Sequence, residues 1–379
     1  MKNKIKKILI YLIYFFIVFI AVVFILAVFE IFNYLNISKV NYSYVWPPNL
    51  RYVFSPNSSI FHRISGESLF TINSLGYRGV EFKNHENEYR VLIIGGSTSE
   101  CLYLDDKEAW PYILMNKLKK TNDNKKVITM NIGKSGHGIR NNILELKYLP
   151  ENYEPDMIIM MTGANDVLFR LSRKDEWQPF NESEFDSKDS YTFSLSPGYT
   201  WKSTITYKIY RFAELKFNKP KPQDAIGYTL AENRLKRKNA KNWINEKPDL
   251  NQSLEDYERN LKRIISLSKE NNITLIFSTQ PYLWKKNMTE EEDASLWMTN
   301  DFGDNYYPVE TMIYSIDAFN QKLLEVCESN KDIFCIDLDK DTPKTPDYFY
   351  DDMHFNENGA SFVAEKLSSY IKENLPGFK

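Results

Sequence analysis

The sequence predicts an α/β protein in which helices cover both faces of a parallel sheet, a three-layer α/β/α arrangement. Short apolar runs typical of buried strands occur at residues 91–94, 127–132, 157–161, 273–278 and 333–338. Stretches with apolar residues at helical spacing separate these runs. Strands that alternate with helices favour right-handed crossovers, and such crossovers produce a parallel sheet.

The first 35 residues predict a membrane anchor. The uncharged apolar run from Ile8 to Phe29 would span about 33 Å as a helix, enough for a bilayer core of about 30 Å. A cleaved signal peptide is the competing interpretation, but its apolar region is usually about 7 to 15 residues and ends in a small-residue site, which the sequence after Glu30 lacks. Lysines are concentrated before the run, so we expect the N-terminus in the cytoplasm and the rest of the chain outside the cytoplasmic membrane.

Three segments follow from these patterns: an anchor at residues 1–35, an extracytoplasmic collar at 36–88 and the α/β domain at 89–379. The collar is rich in proline and turn-forming residues. Residues 167–248 lack the strand and helix alternation, and we expect this insertion to form a lid or a substrate-recognition cap. Its basic run, Arg234 to Lys241, is expected to be a solvated helix face or loop.

Composition excludes some classes of function and leaves others open. The net charge of −2 gives no reason to expect a nucleic-acid partner, and no Cys or His spacing is typical of a metal site. In an exported domain Cys327 and Cys335 could form a disulfide, although Cys335 would equally fit a buried strand. Cys101 is expected to be structural.

A candidate nucleophile follows the first strand of the predicted sheet. Gly95 and Gly96 end this strand in a sharp turn, and Ser97 comes directly after them. In an open parallel sheet, ligands bind at the carboxyl ends of the strands. The sequence therefore places the Ser97 hydroxyl where a substrate could reach it.

A candidate base lies between the last strand and the last helix, in the segment Asp351-Asp352-Met353-His354. A serine hydroxyl needs an adjacent base to remove its proton, and that base needs a third group to hold its tautomer. Ser97, His354 and Asp351 supply these parts, with Asp352 left open as an alternative orienting group. The hypothesis requires the hydroxyl and the imidazole to lie within about 6 Å of each other.

Donors for an oxyanion are also available in the loops that leave the first three strands. They are the backbone N–H groups of Ser97 and Gly136 and the side-chain amide of Asn165. His137, next to Gly136, is expected either to touch substrate or to lie at the surface. Asn165 and Asp166 could instead serve only to cap a helix.

Four sequence blocks together resemble the SGNH hydrolase superfamily, also called GDSL-type esterases. These blocks are Gly95-Gly96-Ser97, Asn131-Ile-Gly133-Lys-Ser-Gly136, Gly163-Ala-Asn165-Asp166 and Asp351-Asp-Met-His354-Phe-Asn-Glu-Asn-Gly359. Gly96 stands where the family has aspartate. The resemblance implies a flavodoxin-like fold with Ser97 as nucleophile, His354 as base and Asp351 as its orienter, and with Ser97, Gly136 and Asn165 forming the oxyanion hole.

The resemblance implies an esterase that forms an acyl-serine intermediate and needs no metal or organic cofactor. A location outside the membrane suggests an ester-bearing envelope glycan or lipid as substrate, with an O-acetyl sugar as the leading expectation. An O-acetyltransferase would use the same three residues. An envelope scaffold or glycan-binding protein that has kept the fold without turnover is the alternative from another class.

Overall fold

The computed structural model describes most of the chain. The described residues are 2–37, 43–83, 85–149, 153–173, 177–182, 192, 194–195, 204–207, 209–210, 225–301 and 303–378. The chain divides into two compact units, Met1–Ser43 with Leu195–Lys221 and Tyr44–Ser194 with Pro222–Lys379. The predicted insertion is therefore shared between the two units.

The second unit is built on a parallel five-stranded sheet, as the sequence predicts. Its strands are β1 (Glu88–Gly95), β2 (Lys126–Asn131), β3 (Met157–Met161), β4 (Thr274–Ser278) and β5 (Phe334–Ile336). Their order is β5-β4-β3-β1-β2, and every pair is parallel. The centre of β1, residues 91–94, is fully buried, which explains its uninterrupted aliphatic sequence.

Helices cover both faces of this sheet. The described helices of this unit are α2 (Ser97–Glu100), α3 (Trp110–Leu118), α4 (Ile139–Tyr148), α5 (Ala164–Arg173), α6 (Ala225–Lys238), α7 (Asn251–Glu270), α8 (Glu290–Ala294), α9 (Val309–Glu328), α10 (Leu338–Asp341) and α11 (Glu357–Asn374). Helix α3 packs against α11 in one layer, and α7 packs against α4 and α9 in the other. The predicted three-layer α/β/α fold is confirmed.

Residues 44–83 belong to the same compact unit as the sheet. Strand Arg51–Phe54 pairs antiparallel with strand Ser68–Thr71. The buried Arg78 guanidinium then donates to the carbonyl oxygens of Glu100, Cys101 and Leu104, at 2.8, 2.8 and 2.7 Å. This segment thereby fixes the turn that follows α2.

The described regions contain four further two-residue strands: Ser43–Tyr44, Ser194–Leu195, Asn242–Trp243 and Asn305–Tyr306. Strands Asn242–Trp243 and Asn305–Tyr306 pair in parallel. Short 3₁₀ turns occur at His85–Asn87 and Pro376–Phe378.

The first unit contains one long helix, α1 (Lys2–Ile37). The most apolar window in its stretch Lys6–Phe32 has a mean hydropathy of 3.3, and the stretch is long and apolar enough to cross a membrane. None of that window is buried inside the protein.

Cys327, near the end of α9, and Cys335, in β5, form a disulfide with a Cα–Cα distance of 6.2 Å. This settles the choice that the sequence left open. Cys101 is buried and unpaired in the described part of the chain, in accord with a structural role. Burial raises the pKa of the Cys101 thiol to about 12, so it carries no thiolate near neutral pH.

Candidate active site

Ser97 follows the carboxyl end of β1 and is the first residue of α2. Gly96 is the N-cap of this helix and has an extended backbone. The turn points the Ser97 side chain toward a cavity of about 390 Å³ at this edge of the sheet. Strand β1 thus presents the hydroxyl at the position where parallel sheets bind ligands.

The structure brings Ser97, His354 and Asp351 together. The Ser97 Oγ and His354 Nε2 atoms are 2.7 Å apart, although the residues are 257 positions apart in the chain. His354 Nδ1 lies 2.9 and 2.8 Å from Asp351 Oδ1 and Oδ2. Both predicted hydrogen bonds are therefore present, and their geometry can pass a proton from a hydroxyl to an oriented imidazole.

The Asp351 carboxylate is held in place by more than the imidazole. Its Oδ1 accepts the backbone N–H groups of Met353 and His354 at 3.1 and 2.9 Å, which closes a tight turn between aspartate and histidine. The Trp297 indole N–H donates to Oδ2 at 2.9 Å. The carboxylate is buried, so these donors take the place of water around the charge.

The three predicted oxyanion groups line the same cavity. Gly136 has a φ of +81°, a left-handed conformation that favours glycine, in the loop after β2. Asn165 is the second residue of α5, and its Nδ2 donates to the carbonyl of His137 at 2.8 Å. That bond uses one amide hydrogen and fixes the plane of the amide, which leaves its second hydrogen able to face a substrate oxygen.

Charges around the imidazole make it more basic. Burial alone lowers the pKa of His354, but the charge and hydrogen bond of Asp351 outweigh it, and the pKa lies above its usual value. Burial works against ionisation of Asp351 too, but the charge and hydrogen bonds of His354 lower its pKa overall. The pair is therefore arranged as a carboxylate beside a proton acceptor.

Asp352, the alternative orienter, does not contact the imidazole. Its Oδ2 accepts the backbone N–H groups of Trp297 and Met298 at 2.8 and 3.2 Å, and its Oδ1 accepts the Trp284 indole N–H at 3.0 Å. Burial, followed by the neighbouring Asp351 charge, raises the pKa of Asp352 to about 6. Asp352 therefore anchors the segment that carries Trp297, and Asp351 orients the histidine.

His137 fits neither of its two expected roles. It is 2% exposed, and its Nδ1 lies 2.6 Å from Glu145 Oε1 inside the protein. Asp166 does cap a helix, but the helix is α4, since its carboxylate accepts the Ile139 N–H at 3.0 Å. Sequence spacing could not show the Asp166 contact because it depends on where the start of α4 lies relative to α5.

Sequence reasoning missed two groups that support the site. Trp297 lies 54 positions before Asp351, outside every motif, so no local signal marks it. Glu100 is buried and bonds the hydroxyl of Ser135, the residue before Gly136. Burial raises the pKa of Glu100, and its position three residues after Ser97 in α2 was the only available hint.

The expectation of a solvated basic run at Arg234 to Lys241 is wrong for both of its arginines. Arg234 donates to the carbonyl oxygens of Ser295, Ile60 and Tyr350 at 2.9, 2.6 and 2.6 Å. Arg237 is buried and pairs with Asp293 at 2.9 Å. The two arginines are three residues apart and share one face of α6.

Comparisons with known proteins agree with the four sequence blocks. The model of the GDSL-like Lipase/Acylhydrolase family matches residues 93–361, a range that includes all four blocks. A search of curated proteins finds no match.

Among solved structures, the chain is similar to an α/β hydrolase enzyme from the metagenome of Lake Arreo, Spain, with 13% identity over 74% of this chain and 94% of the other, and a TM-score of 0.41. An acetylxylan esterase from Geobacillus stearothermophilus shows 14% identity over 75% of this chain and 94% of its own, with a TM-score of 0.40. A GDSL-like lipase from Bacteroides thetaiotaomicron shows 14% identity over 78% of this chain and 93% of its own, with a TM-score of 0.39.

The family match covers more than half of the chain, and its range contains Ser97, Asp351 and His354. The protein therefore belongs to the GDSL-like lipase/acylhydrolase family and is a hydrolase acting on ester bonds.

Proposed function

We propose that Ser97 is the nucleophile, His354 the general base and Asp351 its orienter in a serine esterase. The observation that carries this proposal is the 2.7 Å contact between Ser97 Oγ and His354 Nε2, continued by the bonds from Nδ1 to Asp351. As Ser97 Oγ attacks the ester carbonyl carbon, its proton passes to Nε2. Asp351 stabilises the imidazolium that forms.

The negative charge that develops on the carbonyl oxygen would be met by the N–H groups of Ser97, Gly136 and Asn165. The intermediate then breaks its bond to the alcohol, which takes the proton from His354 and leaves an acyl group on Ser97. Water repeats the attack with His354 again as base, releasing the carboxylic acid and restoring the Ser97 hydroxyl. Because the chain supplies nucleophile, base and oxyanion donors, we propose that the reaction uses no cofactor.

We further propose that α1 remains as a single-pass anchor in the cytoplasmic membrane with its N-terminus inside. The lysines before the apolar stretch support this orientation. The disulfide between Cys327 and Cys335 supports a location of the α/β unit outside the cytoplasm, where such bonds persist. The substrates would then be esters on envelope glycans or lipids.

An active-site probe tests the esterase proposal directly. A fluorophosphonate should label the full-length protein in detergent within minutes, and mass spectrometry should place the label on Ser97. Absence of labelling on folded protein would favour the non-catalytic scaffold. Measuring acetyl release from a chromogenic ester with and without added glycan acceptor separates hydrolysis from acyl transfer, since a transferase would form acylated glycan at the expense of free acid.

The acid limb of the plot of kcat/KM against pH should report the protonation of the His354 imidazole. The base must be unprotonated, so kcat/KM is expected to fall as the pH drops below the His354 pKa, which the Asp351 charge keeps above its usual value. Asp351→Asn removes the charge that raises this pKa and should move the limb to lower pH. Asp352→Asn, which changes a carboxylate without contact to the imidazole, should move it less. An unmoved limb in Asp351→Asn would contradict the assignment.

A further inference from the structure

The cavity next to Ser97 is larger and more apolar than an acetyl ester requires. Its volume of about 390 Å³ would hold about a dozen non-hydrogen atoms at the roughly 30 Å³ that each water takes in the liquid, whereas an acetyl group has only three. Most of its lining surface is apolar, with side chains that include Leu102, Leu168, Phe169, Leu230 and Trp297, and Asn233 and Asn300 are among its polar lining residues. Apolar walls favour an apolar ligand over the hydroxyl groups of a sugar.

Helix α6 forms one wall of this cavity. Thr229, Leu230 and Asn233 line it, and Leu230 is 6% exposed. The position of the helix is fixed on its following turn, where Arg234 bonds the carbonyls of Ser295, Ile60 and Tyr350. These three bonds hold the cavity-lining face of α6 in place.

The two sides of the ester can be assigned from the proton transfers. His354 must reach the alcohol oxygen to protonate it, so the alcohol lies on the side of His354. Leu168 and Phe169 lie three and four residues after Asn165 in α5 and therefore share its helical face. Both residues line the cavity together with Asn165, so an acyl group whose carbonyl oxygen bonds the Asn165 amide would extend along them.

We propose that this cavity binds the acyl part of the substrate and that the acyl group is an aliphatic chain of about four to ten carbons. The proposal rests on the serine esterase function above and names its substrate class. Helix α6, from the insertion, sets the length of chain that fits.

A series of p-nitrophenyl esters tests the chain length. The full-length protein is assayed in detergent, at ester concentrations too low for the esters to partition into micelles. Under these conditions kcat/KM should rise about 4-fold per added methylene from acetyl to hexanoyl, the factor that corresponds to burying one methylene. A flat profile, or a preference for acetyl, would overturn the proposal. Esters of acetic acid with alcohols of one to six carbons should show no comparable rise, and a rise there would assign the cavity to the alcohol.

Filling the cavity tests its wall. Leu230→Trp should lower the ratio of kcat/KM on hexanoyl to acetyl esters by at least 10-fold, because the larger ring occupies space that the chain needs. Leu235→Trp places the same side chain on the same helix at a residue that is 60% exposed, and it should leave the ratio unchanged. If the thermal melt of Leu230→Trp shows an unfolded protein, Leu168→Trp fills the same cavity from α5 and takes its place in the test.

The two levels of the proposal fail in different ways. If no ester is hydrolysed and Ser97 is not labelled, the esterase function itself is wrong. If acetyl esters are hydrolysed in a Ser97-dependent manner and neither filled-cavity variant changes the acyl preference, the function stands and the acyl-chain assignment is wrong.

Discussion

Ser97→Ala and His354→Ala are each expected to lower kcat by about 10⁴- to 10⁶-fold on a p-nitrophenyl ester. Ser97→Ala removes the atom that attacks. His354→Ala leaves that atom without a base, because Nε2 is the group 2.7 Å from the hydroxyl. Since the two act in one proton transfer, the double variant should be no slower than the slower single variant.

Initial rates and thermal melts of the same samples check this result. His62→Ala is the matched control, since His62 is exposed and lies outside the cavity. It should retain activity within a factor of two. Activity above about 1% in a folded Ser97→Ala protein would show that another nucleophile carries the reaction.

The sheet could be predicted because each strand is a short apolar run that ends in glycine or a polar residue. The run Val91 to Ile94 is buried on both faces, which requires apolar residues at consecutive positions. The parallel arrangement of the strands follows from their alternation with helices. The positions of the strands and their parallel arrangement were thus encoded locally.

The support around the site could not be predicted in this way. Trp297 reaches Asp351 only because Asp352 holds the backbone of residues 297 and 298. Arg234 lies in a basic run, and its three acceptors are carbonyl oxygens, which any residue type provides. Contacts to backbone atoms across long chain separations leave no motif in the sequence.

Gly96→Ala is expected to lower kcat by about 10²- to 10³-fold with little change in the thermal melting temperature. A Cβ atom at position 96 would lie 2.5 Å from Asn165 Nδ2 and 3.1 Å from the carbonyl oxygen of His137. The amide lies at the end of a flexible side chain, so it can move away at small cost in stability. In moving, it would leave the position from which it bonds His137 and faces the substrate.

The space around Gly96 also explains why this chain lacks the aspartate that the family has at this position. The family has aspartate where this chain has Gly96, yet here the Asn165 amide occupies the space in which a side chain would begin. Gly96→Asp, which restores the family residue, should therefore lower kcat at least as much as Gly96→Ala. Gly377→Asp makes the same change at an exposed glycine with open space around it and should leave kcat unaltered.

Asn165→Ala distinguishes displacement of the amide from other effects of a side chain at position 96. If Gly96→Ala acts by moving the amide, Asn165→Ala should show a loss of similar size, and the double variant should be no slower than either single variant. Additive losses would show that position 96 affects the reaction separately from Asn165, for instance through Ser97. A Gly96→Ala protein with unaltered kcat would mean that the amide does not stabilise the oxyanion from this position.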